Sequence, residues 1–329
     1  MKSKISLCMI VRDEEAFLDK CLQSVVGVVD ETVVVDTGST DSSAEIAKRH
    51  GARVLSHPWQ NDFAEARNFA LDAASGDWIL VLDADEELPE ESRARMKDIV
   101  DTTKADGVEM TVRGLMPETD VLKYEDSRIV RLFRNKKDYR YVLPVLEQIR
   151  PSIEKNHGVI ISSDLIIVNR GYSYEIVQGG AKRGQRILEI LSAALSASPA
   201  NPYLRCQLGL TMMSAGQRDE AYTRLKSVLE LDYEQMGPAL LDRLFMKMSQ
   251  IALDRNENEE AVWYAGKSLE YNPDNGISMY VAAIGLLSLN RISEGYEQLL
   301  KIKRKKDSSL RLDLQLDHLI KACKELLKI

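Results

Sequence analysis

The sequence predicts an α/β domain with a mostly parallel sheet, followed by an all-α domain of repeated helix pairs. Two observations set the first half. Continuous apolar runs of strand length alternate with segments of helical period, and several of those runs end in carboxylates. A third observation sets the second half. Beyond Gly179-Gly180 the period is helical to the end, and one pattern of large and small residues recurs. The division this predicts is 1–178 for the first domain and 179–329 for the second.

In the first domain, Ile5 to Val11 is an apolar run rich in β-formers. Glu14 to Val26 has helical spacing through Phe17, Leu18, Cys21, Leu22 and Val25. Glu31 to Asp36 is a continuous apolar strand, the kind a parallel sheet buries on both faces. Ser42 to His50 reads as a helix and Ala52 to Ser56 as a strand. Asp62 to Ala74 reads as a helix with Asp62 as its N-cap, and Trp78 to Leu82 as a strand. This rhythm predicts helices on both faces of the sheet. From Gly107 the helical period is absent. Val108 to Val112, Arg128 to Phe133 and Val159 to Val168 read as strands completing one edge of the same domain.

In the second domain, a unit beginning at Pro202 sets Leu208, Gly209, Met212, Ala221, Leu225 and Val228 at the large and small positions. A unit from Asp242 sets Phe245, Met248, Ala252, Ala261, Ala265 and Pro273 in register. A third from Gly276 does so with Met279, Ala282, Ala283, Leu286, Gly295, Leu299 and Ile302. The period of about 34 residues resembles the tetratricopeptide repeat. The repeats run about 202–235, 242–275 and 276–309, with a capping helix over 310–327. Each residue taken singly is ordinary helical core. Stacked together, such units create a concave surface suited to extended partners.

The bulk numbers bound the function. With 329 residues, 44% hydrophobic and 29% charged, there is apolar material for two cores. A net charge of −7 argues against a nucleic-acid binder, which would show a basic face. Cys8, Cys21, Cys206 and Cys323 form no CxxC pair and read as buried thiols in a reducing compartment. The N-terminus lacks a signal-peptide core, and no segment approaches 18 uninterrupted apolar residues. A cytoplasmic protein without a membrane span is expected.

Three acidic clusters follow three strands: IVRDEE, VVVDTGSTD and LVLDADEE. Open α/β sheets bind ligands at the carboxyl ends of their strands. In the second cluster Asp36 ends the strand, Gly38 permits a sharp turn, and Thr40 or Asp41 can cap the next helix. In the third, Asp83 and Asp85 point the same way if strand geometry persists. Two carboxylates facing one point call for a cation between them, and oxygen ligands suit Mg²⁺ or Mn²⁺. The competing reading is a solvated turn before Pro89, with Glu86 and Glu87 as surface acids.

Taken together and in order, CMIVRDEE (8–15), VVVDTGSTD (33–41), NDFAEARNFAL (61–71) and GDWILVLDADEEL (76–88) resemble the family-2 glycosyltransferases of the GT-A fold. They look particularly like the branch that carries tetratricopeptide repeats after the catalytic domain, some members of which glycosylate Ser, Thr or Cys of peptides or proteins. The resemblance covers roughly 3–175 closely and the repeats more loosely. It implies a UDP-sugar donor and a Mn²⁺ or Mg²⁺ cofactor. It further implies a donor site that includes Val11, with Glu14 and Asp36 at the uracil or ribose and Arg67 near the base or pyrophosphate. Asp83 would lie near ribose and metal, and Asp85 would be the metal ligand. For Arg67 the plain alternative is a surface ion pair on an amphipathic helix.

Family-2 enzymes usually invert the anomeric centre and need a base that reaches the acceptor. That branch often reads His-Glu-Gln here; this chain has Leu146-Glu147-Gln148, so Glu147 is the candidate base and Leu146 replaces the histidine. A histidine expected before the Gly171-Tyr172 pair is replaced as well. Asn169 could supply a metal-ligating oxygen in its place, and Arg170 could meet the diphosphate. His157 is a distant substitute for the lost ligand. Arg128, Arg131 and Arg134 recur every third residue; on a regular strand Arg128 and Arg134 would share one face and Arg131 the other. The expected partners are a UDP-sugar, a peptide or protein acceptor, and a second copy of the chain. The alternatives are a glycan or lipid-linked acceptor, or a catalytically weakened scaffold that binds a protein through its repeats.

Overall fold

The computed structural model describes residues 3–116, 123–171, 181–305 and 313–328. Gly179-Gly180, Tyr172 and the first residues of the expected capping helix lie outside them. The chain divides into two compact units, one holding the described strands and the other holding the helices from Ala181 onward.

The first unit is built on one eight-stranded sheet. Its strands are β1 (Ile5–Val11), β2 (Glu31–Asp36), β3 (Arg53–Ser56), β4 (Trp78–Val81), β5 (Glu86–Glu87), β6 (Gly107–Leu115), β7 (Tyr124–Arg134) and β8 (Ile160–Asn169). They lie in the order β3-β2-β1-β4-β7-β6-β8-β5. The β1–β2, β1–β4, β2–β3 and β6–β8 pairs are parallel; β4–β7, β6–β7 and β5–β8 are antiparallel. The late strands thus extend the sheet from β4, as their lack of helical period predicts.

Helices α1 (Leu18–Ser24), α2 (Ser43–Arg49), α3 (Phe63–Ala73), α4 (Glu90–Thr102) and α5 (Arg150–Lys155) pack on this sheet. Alternation along the strands sorts two cores. Ile5, Leu7, Met9, Val34, Trp78 and Leu80 face α1, α2 and α4; Cys8, Val33, Val35, Ile79 and Val81 face α3 and α5. The period-2 geometry of a strand requires this split. Asp62 caps α3 as its sequence position suggests, accepting the Glu65 N–H at 2.9 Å.

The alternation fails at one point. Across β6–β7, Val108 pairs with Leu132 and Glu109 with Val130, so Arg131 is one extra residue, a β-bulge. Ile129 and Leu132 therefore share one core while Val130 and Phe133 share the other. The expectation that Arg128 and Arg134 share a face is overturned, because the bulge shifts the parity between them. Arg128 bonds Glu109 (3.0 Å) on one side, and Arg134 lies over the Trp78 ring (4.3 Å) on the other.

The second unit begins with α6 (Ala181–Ala197) and continues as α7 (Pro202–Ser214) with α8 (Arg218–Val228). Then come α9 (Pro238–Asp254) with α10 (Asn258–Tyr271), α11 (Gly276–Ser288) with α12 (Ile292–Lys305), and α13 (Asp313–Leu327). The large residues of the repeat pattern, among them Leu225, Phe245, Met248 and Leu299, are fully buried. Its small residues mark close approaches. A Cβ on Gly209 would stand 2.6 Å from Leu225, and one on Gly295 would stand 2.8 Å from Leu287 and 3.1 Å from the Ala283 carbonyl oxygen. No described helix is long and apolar enough to cross a membrane. All four cysteines are free and buried, as read from their positions, and burial pushes the Cys8 thiol up to about 12.

Candidate active site

Because β1, β2, β4 and β8 run in the same direction, their carboxyl ends share one edge of the sheet. The acidic loops gather there. Val11 ends β1 beside Asp36, and its carbonyl accepts from the backbone N–H (3.0 Å) and hydroxyl (3.1 Å) of Thr37. Asp36 Oδ1 accepts the N–H groups of Gly38 (3.0 Å) and Ser39 (2.8 Å), which closes the turn that Gly38 makes at φ +110. The loop after β1 is laced to the loop after β2. Asp13 accepts from Thr40 N–H (2.7 Å), Glu15 from Ser42 N–H (3.1 Å), and the N–H of Glu14 donates to Ser43 Oγ (2.8 Å). Glu14 and Asp36 are thereby held on two joined loops.

Arg67 is 7% exposed, so the surface-pair alternative is excluded. α3 carries it to the same edge, where its Nη2 donates to Asp83 Oδ1 (2.6 Å) and its Nε to Glu147 Oε1. Its Nη1 is buried, with no hydrogen-bond partner among the described residues. The tight loop that brings Glu147 is closed by the Val142–Gln148 bridge. Leu143 (φ +76) and Leu146 (φ +52) sit in the left-handed region within it, a conformation that costs a bulky residue about 1–3 kcal/mol and clusters at functional sites. The Phe63 N–H donates to the Pro144 carbonyl (2.8 Å), fixing this loop to the first turn of α3.

β4 ends at Val81, and the next residues form a turn in which the Glu86 N–H donates to the Asp83 carbonyl (3.0 Å). Strand geometry therefore does not persist from Asp83 to Asp85, and the premise that both side chains point one way is corrected. Asp83 meets guanidinium groups on both oxygens: Arg67 on Oδ1 and Arg131 on Oδ2 (3.0 Å). The positive charge expected between two aspartates is thus supplied to Asp83 by arginines. Asp85 turns to the end of β8 instead. Its carbonyl accepts the Arg170 N–H (2.8 Å), and its carboxylate packs where a Cβ on Gly171 would lie 1.9 Å from Oδ2. Asn169 pairs with Glu86 across β8–β5. Arg170 is half exposed and reaches Glu87 at 3.3 Å.

Sequence reasoning missed two members. Glu86, a surface acid in the competing reading of its turn, is fully buried, and Arg131 is 8% exposed. Arg131 Nη2 donates to Glu86 Oε1 (2.7 Å), and Glu86 Oε2 accepts the Asp83 N–H (2.9 Å). Burial alone would raise Asp83, yet the Arg131 and Arg67 cations hold it well below the usual aspartate range. Burial raises Glu86 above the glutamate range against the pull of Arg131, with Asp83 adding to the rise. The every-third-residue arginines were the available signal; what set Arg131 apart was the bulge. His157 is exposed at the opposite end of β8, whose ten residues span about 30 Å, so it cannot join Asn169.

Among the described residues no three His, Cys, Asp or Glu side chains form a metal cluster. The donor set still fits a hard divalent cation in one way. Such ions are often held by one or two carboxylates, with substrate phosphates and water completing the shell. Asp85, with Asn169 beside it and no Cβ at Gly171 to crowd it, meets that description.

Residues 6–172 match the model described as Glycosyl transferase family 2. A TPR repeat-containing protein of Synechococcus elongatus is 39% identical over 236 residues, which cover 69% of this chain and 57% of that protein. The SPbeta prophage-derived glycosyltransferase SunS of Bacillus subtilis is 24% identical over 268 residues, 79% of this chain and 61% of its own. The chain thus spans about three fifths of these relatives. A Mycobacterium tuberculosis glucosyl-3-phosphoglycerate synthase, solved with Mn²⁺, UDP and glucosyl-3-phosphoglycerate, is 22% identical, covering 58% of this chain and 79% of that one at a TM-score of 0.41. The family match takes in the edge cluster from Val11 to Gly171, and on it the chain belongs to glycosyl transferase family 2.

Proposed function

We propose that the protein is an inverting glycosyltransferase that moves a sugar from a UDP-sugar to a peptide or protein side chain. One observation carries the reading: buried Arg67 ties Asp83, on the loop after β4, to Glu147, on the loop before α5, at the ligand-binding edge of the sheet. A donor held at Glu14, Asp36 and Asp83 then lies next to Glu147. Glu147 is the group placed to take the acceptor proton, and Arg67 fixes one of its oxygens so that its approach is defined. Arg170 binds the diphosphate. Its pair with Glu87 is half exposed, and such pairs contribute only about 0–1 kcal/mol, so an incoming phosphate displaces it readily.

Asp85 and Asn169 would hold Mn²⁺ or Mg²⁺ together with diphosphate oxygens, and the cation, when bound, takes up charge on the departing diphosphate. The helix pairs of the second unit, taken as the domain 179–329, hold the acceptor; stacked pairs present surfaces suited to an extended chain.

Calorimetry of UDP with and without Mn²⁺, on wild type and Asp85→Asn, tests the donor site. Binding that needs the metal and is lost in the variant supports it. Transfer to peptide libraries then tests the acceptor, and product formed only on glycans or lipid-linked sugars would replace the peptide reading. If neither UDP nor another nucleotide binds, the chain is a scaffold and the transferase reading is wrong.

A further inference from the structure

Resting on the glycosyltransferase reading, we infer that Arg131 and Glu86 are positioning residues that set the donor aspartate and the base through one chain of ion pairs. The chain runs Glu86–Arg131–Asp83–Arg67–Glu147. Its far end is sealed: the Arg131 side chain is 9% exposed and that of Glu86 1%. Glu86 is closed to substrate, and Arg131 spends its Nη2 on Glu86 and Asp83, so their influence passes through Asp83.

Three features point to placement rather than stability. Arg131 is the extra residue of the β7 bulge, a device that re-aims side chains and is common beside active sites. One Arg131 nitrogen, Nη2, serves both Asp83 (3.0 Å) and Glu86 (2.7 Å), which fixes the distance between the two carboxylates. Glu86 in turn holds the Asp83 backbone N–H, and through β5 it is paired with Asn169 at the end of β8. A buried ion-pair chain is a poor way to stabilise a fold, since apolar residues of like volume do as well or better. Here it links the loop after β4, the end of β8 and the helix bearing Arg67.

The test compares Arg131→Met, Arg131→Lys and Glu86→Gln, each alone and combined with Glu147→Gln. UDP release from UDP-glucose, UDP-galactose and UDP-N-acetylglucosamine gives kcat and KM, calorimetry gives UDP affinity, and crystal structures give the Arg67–Glu147 geometry. Arg131→Met should lower kcat about tenfold or more and weaken UDP affinity through Asp83, and the kcat loss should shrink below about twofold when Glu147 is already Gln, because residues of one ion-pair network couple. The Arg131→Met crystal should show the Arg67–Glu147 pair displaced. Equal losses in both Glu147 backgrounds, or an unmoved pair, would overturn the inference. Should Arg131→Met fail to fold, Arg131→Lys keeps the cation but lacks the planar fork, and the same criteria apply. If the wild type binds no UDP and releases none, the transferase reading fails by itself, and the crystal comparison alone decides whether Arg131 positions Arg67 and Glu147.

Discussion

Removing Arg67 isolates the contribution of the central cation. Arg67→Met keeps an unbranched side chain of good helix propensity within α3, so the helix itself is little disturbed. The variant takes the shared guanidinium from two carboxylates. Asp83 retains Arg131 and has 31% of its side chain exposed; Glu147 has 11% exposed and loses the Arg67 cation. Breaking a buried pair by deleting one partner costs about 3–5 kcal/mol, and the exposure of Asp83 favours the lower end. In a unit of this size 1 kcal/mol moves the midpoint by about 2–4 °C, so a loss near 3 kcal/mol lowers Tm by about 6–12 °C. Urea titration followed by circular dichroism measures the loss directly. Because much of the cost is the charge stranded at Glu147, adding Glu147→Gln to Arg67→Met should restore about 1–3 kcal/mol. A loss under about 1 kcal/mol, with no recovery in the double variant, would refute the claim that this pair is a buried, mutually dependent unit.

Asp83 is held below its ordinary range, so between the two values the unfolded chain binds more protons and stability rises with pH. That contribution is present above about pH 4 and drains as the pH falls; acid titration of Asp83→Asn should show a flatter slope than wild type. Glu86 has the opposite sign: its contribution is present below its ordinary range and fades as pH rises to its elevated value of about 8, so Glu86→Gln should flatten the decline from mildly acidic to about pH 8. Gly171→Ala would push a methyl to 1.9 Å from Asp85 Oδ2 and should weaken Mn²⁺-dependent UDP binding about tenfold, read by calorimetry, with the melting curve little changed. Gly295→Ala crowds Leu287 and the Ala283 carbonyl and should cost the helical unit about 1–3 kcal/mol in urea titration while leaving UDP binding intact.

The elements were legible because their signals are local. Strand runs, the Asp62 cap and the strand-end acids all depend on residues a few positions apart. The repeats of the second unit were legible for the same reason, since one spacing of large and small residues recurs. The misreadings fall where local signals are silent. A bulge adds one residue to β7 without changing its composition, so strict alternation misassigned Arg128 and Arg134. Glu86, beside Glu87 and Pro89, carried only the competing reading of a solvated acid; its partner Arg131 lies forty-five positions away.

By itself, then, the sequence determined the order of elements, the edge at which the acids collect and the family, because hydrophobic period and motif spacing are written within short windows. Only the tertiary structure decided which charges face one another. Asp83 could have met a metal, solvent or a cation, and Arg67 could have been a surface residue. Coulomb energy depends on distance and burial, and both are set by the meeting of residues 67, 83, 131 and 147 from four separate segments.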